Sequence, residues 1–340
     1  MKNNSLFGLF PEEIANIIQK YDARSFNAKQ IVEWMYAKRV LDFDEMSNLP
    51  KQLREHLKAE FPLIVYPYKK VETSKDGTKK YLFEFEQGRV VETAVIPEDD
   101  RITVCVSSQA GCRFGCRFCA TGTIGFGGNL SAGEILNQLV AIDESKDITN
   151  IVYMGMGEPL DNWEEVHKSI EILTSEKMMN FGAGRITVST IGINEYFGEL
   201  INKTRVNIAI SLHSPFPEER AHIMPAQKSN PLSNILEIIE EANISRYRKL
   251  SFEYILIKGL NMSKSHAQKL ADMAIRCNAH VNLIAYNPVV GLPFDSPAEK
   301  DILGFQNELI PRGVNATLRK PRGRDISAAC GTLAGNKAGK

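Results

Sequence analysis

The stretch Cys112-Arg113-Phe114-Gly115-Cys116-Arg117-Phe118-Cys119 follows a short apolar run, residues 102–106, and sets three cysteines at C-x3-C-x2-C spacing in one glycine-bearing loop. Three thiolates this close, with no fourth cysteine nearby, can hold three irons of a cubane and leave the fourth open for chemistry. A structural zinc site asks for four closed ligands, usually as two pairs, and no second pair follows downstream. A disulfide framework fits less well, because 340 residues can bury a core of their own and the cysteines are not spread as staples. A [4Fe-4S] cluster whose unique iron binds S-adenosylmethionine (SAM) is the better account of the spacing.

Outward from this loop, short apolar strands alternate with helices. The strands fall at 102–106, 150–154, 186–190, 206–212, 251–257 and 281–286. The helices fall at 132–144, 162–174, 195–203, 232–243, 265–277 and about 297–311. A β-α series of this kind makes a parallel sheet with right-handed crossovers. Six units predict an α/β fold, a partial (β/α)6 barrel over residues 101–320. Residues 1–60 read as a small helical N-terminal domain, with helices at 11–21, 28–39 and 50–61. Residues 61–100 alternate apolar and polar around the turn Ser74-Lys75-Asp76-Gly77 and read as a β-hairpin extension. Residues 321–340 form a glycine-bearing C-terminal tail.

The chain carries 41 basic and 41 acidic residues and is 43% apolar, the balance of an enzyme-sized globular protein. Zero net charge argues against a histone-like, non-specific nucleic-acid binder, yet leaves room for a local basic face. Lys29, Lys38, Arg39, Lys51, Arg54 and Lys58 are scattered through the N-terminal helices, as a solvated face or as an RNA-docking surface. No apolar run approaches 18 residues and no signal-peptide pattern opens the sequence, which argues against membrane and export readings. Thiols that bind iron also need a reducing compartment. A cytoplasmic monomer is expected.

In parallel α/β barrels the site lies at the C-terminal ends of the strands. Here those ends carry the cysteine loop, Gly155-Met156-Gly157-Glu158-Pro159, Ser189-Thr190-Ile191-Gly192, Ser211-Leu212-His213 and Asn287-Pro288. One such segment alone would be ordinary turn chemistry. Five on one rim suit a zwitterionic nucleoside: Gly155 and Gly157 let a backbone approach closely, Glu158 can take an ammonium, and Ser189, Ser211 and Asn287 can bond carboxylate, ribose or adenine.

Several strings carry a resemblance. They are Val90-Val91-Glu92-Thr93, Ile96-Pro97-Glu98-Asp99-Asp100-Arg101, the run from Cys105 to Cys112, Gly155 to Pro159, Ser211 to His213, and Arg322 to Gly335. With the cysteine spacing, they resemble the radical SAM superfamily and, within it, the 23S rRNA adenine methyltransferases of the RlmN/Cfr group, over nearly the whole chain. The resemblance implies that Cys112, Cys116 and Cys119 ligate the cluster and that Gly157, Glu158, Ser189, Ser211, Leu212, His213 and Asn287 contact SAM. It also implies that Cys330 is the methyl-carrying cysteine, Cys105 the cysteine that resolves the intermediate, and Glu92 the proton acceptor. Without the family, Cys105 reads as a strand core residue and Glu92 as a solvent-facing strand carboxylate. Cys330, beside Arg322 and Arg324, reads as a mobile thiol. Cys277 matches no motif and reads as a buried helix thiol.

The chemistry accounts for so many thiols. SAM is an electrophile, and an aromatic C–H carbon of adenine is a poor nucleophile for it. A cysteine thiolate can take the methyl from one SAM. A second SAM, reductively cleaved, can give a 5'-deoxyadenosyl radical that takes hydrogen from the methylcysteine, and the carbon radical can add to adenine. Proton removal by Glu92 and attack by Cys105 would then release the product and leave a transient Cys105–Cys330 disulfide for reduction. The implied partners are 23S rRNA, tRNA for some family members, and an electron donor such as flavodoxin or ferredoxin.

Regiochemistry divides the family into C2 enzymes, acting on adenosine 2503 and in some members adenosine 37 of tRNA, and C8 enzymes of the Cfr type that confer antibiotic resistance. Glu92 to Arg101, Phe252-Glu253-Tyr254 and Arg319 to Gly323 look more like the C2 branch, whereas Ser189 to Gly192 and Ser211 to Phe216 look more like the other. The first reading is preferred. Gly127-Gly128 departs from the basic residue that many relatives carry there. Arg319, Lys320, Arg322 and Arg324 are expected to contact phosphates.

Overall fold

The computed structural model describes residues 5–61, 65–242, 244–245 and 247–335. Its frame is a ten-stranded sheet. The first three strands, β1 (Lys70–Thr73), β2 (Lys79–Glu84) and β3 (Val90–Glu98), form an antiparallel meander. Its first turn closes as Ser74 N–H donates to Thr78 O at 2.8 Å, with Gly77 in the left-handed region at φ +85°. β3 then pairs antiparallel with β4 (Arg101–Cys105), setting Ala94 opposite Cys105. The hairpin is therefore a continuation of the barrel sheet.

From β4 the sheet runs parallel through β7 (Asn150–Tyr153), β8 (Ile186–Thr190), β9 (Asn207–Ser211), β10 (Leu250–Leu256) and β11 (His280–Ala285), as the apolar runs predict. It does not stop there. β12 (Ala316–Arg319) adds a seventh parallel strand, with Val281 paired to Ala316 and Ile284 to Arg319. The six strand–helix units stand, and β12 is a further strand that no α-helix follows among the described residues. The strand is four residues long and only Ala316 in it is buried, too little pattern to read as a strand. Between β4 and β7 the cysteine loop is framed by a second, two-stranded sheet of β5 (Gln109–Gly111) and β6 (Phe126–Asn129).

The helices follow local signals. α1 (Pro11–Ile18) starts with Pro11, Glu12 and Glu13 in its first turn, and α2 (Ser25–Val32) continues into a wider turn at Glu33–Ala37. α3 (Lys51–Glu60) completes the N-terminal helices. α4 (Ala120–Thr123) is one turn directly after Cys119. α5 (Ala132–Val140) opens on a capping box in which Ser131 and Glu134 satisfy each other's backbone N–H. α6 (Trp163–Thr174), α7 (Asn194–Lys203), α8 (Pro217–Ile223), α9 (Leu232–Glu241), α10 (Lys264–Arg276) and α11 (Glu299–Leu309) follow. The helix read over 232–243 ends at Glu241, and Asn243 lies outside the described residues. α4 and α8 are too short to have shown a helical period.

Ile14, Ile18, Ile31 and Leu57 of the N-terminal helices join the same apolar core as the barrel strands. The join is tight: a Cβ on Gly8 would stand 2.4 Å from Gly133 N at the start of α5. Among the described residues no helix is long and apolar enough to cross a membrane.

Candidate active site

The carboxyl ends of the parallel strands open onto a cavity of about 1590 Å³ that continues down the barrel to Arg248 and His280. Of the residues singled out from the sequence, Cys105, Cys112, Cys116, Cys119, Gly157, Glu158, Ser189, Ser211, His213, Asn287 and Cys330 line it. Leu212 and Glu92 do not.

The cysteine loop is built from backbone bonds. Cys112 N–H donates to Gly125 O at 3.0 Å, Cys119 N–H to Cys116 O at 3.1 Å, and Arg117 N–H to Ile223 O at the end of α8 at 2.9 Å. Gly111, at φ +78°, lets the loop close, since a Cβ there would sit 1.8 Å from Gly125 O. Burial pushes the Cys112 thiol up to about 12 and raises Cys116 and Cys119, and for Cys116 the other two thiols raise it further. Crowded thiols of this kind become thiolates only against a cationic centre. The loop offers three such thiols, one short of the four ligands that a closed zinc site takes. A cubane spreads its ligands over separate corners, so the donor set fits a [4Fe-4S] cluster.

Gly155 and Gly157 line the cavity and also permit a close approach within the chain. A Cβ on Gly155 would stand 2.7 Å from Val106 O, and one on Gly157, at φ +98°, 2.6 Å from Gln109 Cβ. The glycines thus lay the loop after β7 against the chain's own residues 106–109. Gln109 locks it by accepting the Glu158 N–H at 2.9 Å. The Glu158 carboxylate is buried and accepts from the Thr190 hydroxyl, from Leu160 N–H at 3.2 Å and from Ile191 N–H at 3.0 Å. Burial outweighs these donors and pushes it up to about 7. Gln109 and Thr190 were not singled out from the sequence, although both lie inside strings that were.

His213 sits at φ +56° beneath the rim, its Nδ1 accepting Ile255 N–H at 3.1 Å. Burial, then Arg220, pushes it down to about 3, so the ring is neutral and that bond assigns the proton to Nε2. Its ring meets Phe118 of the cysteine loop edge to face, with centroids 4.9 Å apart. Leu212 is fully buried and contributes its N–H to Glu253 O at 3.1 Å.

The C-terminal segment lies across the cavity. Ala120 N–H donates to Gly331 O at 2.7 Å and Asn287 Nδ2 to Cys330 O at 3.3 Å, while Arg324 Nε donates to Asn287 Oδ1 at 2.8 Å. Cys330 is exposed, with its Sγ 3.9 Å from Arg319 Nη1. Cys105 packs in a small apolar cluster with Ala94 and Ala328, and burial, then Cys330, pushes it up to about 12. The two thiols that the sequence holds 225 positions apart therefore share one cavity, both free.

Two expectations need correction. Glu92 is buried: it pairs with Lys80 at 3.2 Å and accepts the N–H groups of Ala334 at 2.9 Å and Gly335 at 3.2 Å. Arg319 points into the barrel, 3.6 Å from Glu253 Oε2 and 3.4 Å from Met154 Sδ, because β12 places it on the sheet. Arg322 lies 3.7 Å from Glu98. In the N-terminal helices Lys38 pairs with Glu33, Lys51 with Glu55 and Lys58 with Asp44, exposed ion pairs of the kind a solvated face carries. Cys277 is a buried thiol at the end of α10, as read.

The family model for the radical SAM superfamily matches residues 106–271, and that for the ribosomal RNA large subunit methyltransferase N-terminal domain matches residues 4–63. The chain is 44% identical over 333 residues to a probable dual-specificity RNA methyltransferase RlmN of Porphyromonas gingivalis, covering 98% of this chain and 97% of that one. It is 40% identical over 337 residues to the dual-specificity RNA methyltransferase RlmN of Lawsonia intracellularis, covering 95% and 94%. A solved radical SAM methyltransferase from Sphaerobacter thermophilus superposes with a TM-score of 0.89 at 39% identity, covering 98% of this chain and 99% of that one. Identity at this level over both whole lengths, on one fold with one three-cysteine rim, makes the chain a member of the RlmN family of radical SAM RNA methyltransferases.

Proposed function

We propose that the chain methylates C2 of adenosine 2503 in 23S rRNA through a methylcysteine at Cys330, consuming two SAM per turnover, with adenosine 37 of tRNA as a second substrate. The observation that carries this reading is the meeting of Cys105 and Cys330 in the cavity that also takes the three-cysteine loop. A methylcysteine step gives both thiols a role there, one to carry the methyl group and one to resolve the adduct.

Cys112, Cys116 and Cys119 hold the [4Fe-4S] cluster, which when bound supplies the electron for reductive SAM cleavage. Gly157, Glu158, Ser189, Ser211, His213 and Asn287 line the space for SAM, and Leu212 sets the backbone between two of them. Cys330 takes a methyl group in the first half-reaction and presents it to the base in the second. Cys105 attacks the Cys330 sulfur of the adduct and a Cys105–Cys330 disulfide forms, while the bond from that sulfur to the base-bound carbon breaks with its electron pair left on the carbon, which takes up a proton and becomes the methyl group. Glu92 accepts the proton from the base once the Ala334 and Gly335 amides have released it.

Residues 1–60 dock the RNA, residues 61–100 extend the sheet, residues 101–320 form the barrel, and residues 321–340 deliver Cys330. Exposed ion pairs such as Lys38–Glu33 contribute little, so their lysines can exchange a carboxylate for a phosphate. The reading places a monomer in the cytoplasm, with a flavodoxin or ferredoxin as reductant. The test is mass spectrometry of rRNA after incubation with reconstituted enzyme, SAM and reductant. Methyl on C8 would replace the reading with the Cfr-type activity, and no RNA product would overturn it.

A further inference from the structure

Arg220, in α8, is fully buried and has no acid beside it. Its Nε donates to Leu212 O at 3.1 Å, its Nη2 to Ile191 O and to Ser211 O at 3.0 Å each, and its Nη1 to Gln227 Oε1. All four acceptors are neutral, and among the described residues no carboxylate stands within ion-pair distance. A buried charge without a counter-ion is expensive, and neutral donors would tie these loops together as well.

The cysteine loop adjoins the end of α8. Arg117, between Cys116 and Cys119, donates its N–H to Ile223 O at 2.9 Å, and its Nη1 lies 3.4 Å from His222 Nδ1. The turn that carries Arg220 is thereby fastened to the cysteine loop. Ser211 and Leu212, whose carbonyls hold Arg220, lead into His213, and its ring meets Phe118 of the same loop with centroids 4.9 Å apart, so the seat of the guanidinium is fastened to the cysteine loop from a second side. Three thiolates around a four-iron cubane carry net negative charge, which grows by one on reduction, and net charge is one of the settings of such a cluster's potential.

We propose that Arg220 is the built-in counter-charge of the cluster, a positioning residue whose buried guanidinium favours the reduced cluster held by Cys112, Cys116 and Cys119; this rests on the cluster reading above. The rim loops after β8 and β9 supply neutral carbonyls so that the positive charge stays unspent for the cluster.

The test is a reductive titration of the anaerobically reconstituted full chain, followed by the electron paramagnetic resonance of the reduced cluster, with no RNA and no turnover. Arg220→Lys keeps the charge and should hold the wild-type midpoint within about threefold in the reduction equilibrium. Arg220→Met should shift that equilibrium at least tenfold against the reduced state, about 59 mV for one electron. Gln227→Glu neutralises Arg220 in place while still accepting from its Nη1 and from Leu232 N–H. It should shift the midpoint in the same direction, and it carries the comparison if Arg220→Met fails to fold. A wild-type midpoint in Gln227→Glu, or equal shifts in the Lys and Met variants, overturns the proposal and leaves the cluster reading standing. A wild-type chain that takes up no four-iron cluster overturns the reading beneath it.

Discussion

Glu92 Oε2 accepts the backbone N–H of Ala334 at 2.9 Å, a bond between the third strand of the sheet and a segment 242 positions further along. The same oxygen takes Gly335 N–H, so one carboxylate staples down the segment that carries Cys330. Charge-assisted bonds of this kind contribute about 1.5–3 kcal/mol. Glu92→Ala is expected to speed amide exchange at Ala334 and Gly335 about tenfold or more, while Glu92→Gln, which can still accept, changes it less. Hydrogen-exchange mass spectrometry reads both, and equal exchange in Glu92→Ala and wild type would remove the staple.

Cys330→Ala should form neither methylcysteine nor methylated RNA. Cys105→Ala should still be methylated at Cys330 and still attack the base, then stall as a covalent protein–RNA species. A denaturation-resistant, RNase-sensitive band on a gel reports it. Normal turnover by Cys105→Ala would return that thiol to the plain core role that its apolar packing allows.

Replacing Cys112, Cys116 and Cys119 together by alanine should leave no cluster iron after anaerobic reconstitution, and each single replacement should abolish SAM cleavage. Iron analysis and the visible spectrum decide the point. Four irons retained in the triple variant would contradict the ligand assignment.

Glu158 carries a pH signature. Its folded pKa of about 7 lies above the ordinary carboxyl value of 4.5, so folding favours its protonated form. The associated stability is present below about pH 4.5 and is lost as pH rises toward 7, amounting to about 3 kcal/mol. Denaturant unfolding of the cluster-free chain should therefore find wild type losing ground to Glu158→Gln by about that amount between pH 4.5 and 8. A difference independent of pH would mean that the donors from Thr190, Leu160 and Ile191 offset burial.

Gly157→Ala puts a methyl group 2.6 Å from Gln109 Cβ at a φ of +98°. Steric overlap and left-handed strain together should lower stability by about 2–4 kcal/mol, read as the shift in urea midpoint. An unshifted midpoint would show that the loop after β7 yields.

Much of this was legible because it depends on neighbours in sequence. The strands of the barrel announce themselves as apolar runs, and cysteine spacing survives any fold. Glu92 was misread because alternation tells which residues share a face and is silent on what covers it; a tail from residues 323–335 does. Arg319 looked like one of four surface cations because β12 shows a single buried position. Arg220 gave no signal at all, since a buried arginine bonded to carbonyls has no characteristic partner in sequence. The glycines at 155 and 157 read as marks of close approach, and the structure adds that the loop they carry lies against the chain's own residues 106–109.

The docking of residues 323–335 across the cavity also bears on how the protein is made. Synthesis is vectorial, so all seven parallel strands leave the ribosome before the segment that bonds Asn287, Ala120, Thr121 and Glu92. A barrel that folds as it emerges stands for a time with its thiol-lined mouth uncovered. A nascent chain stalled short of residue 323 would present the three cysteines of the loop without the segment that lies across the cavity.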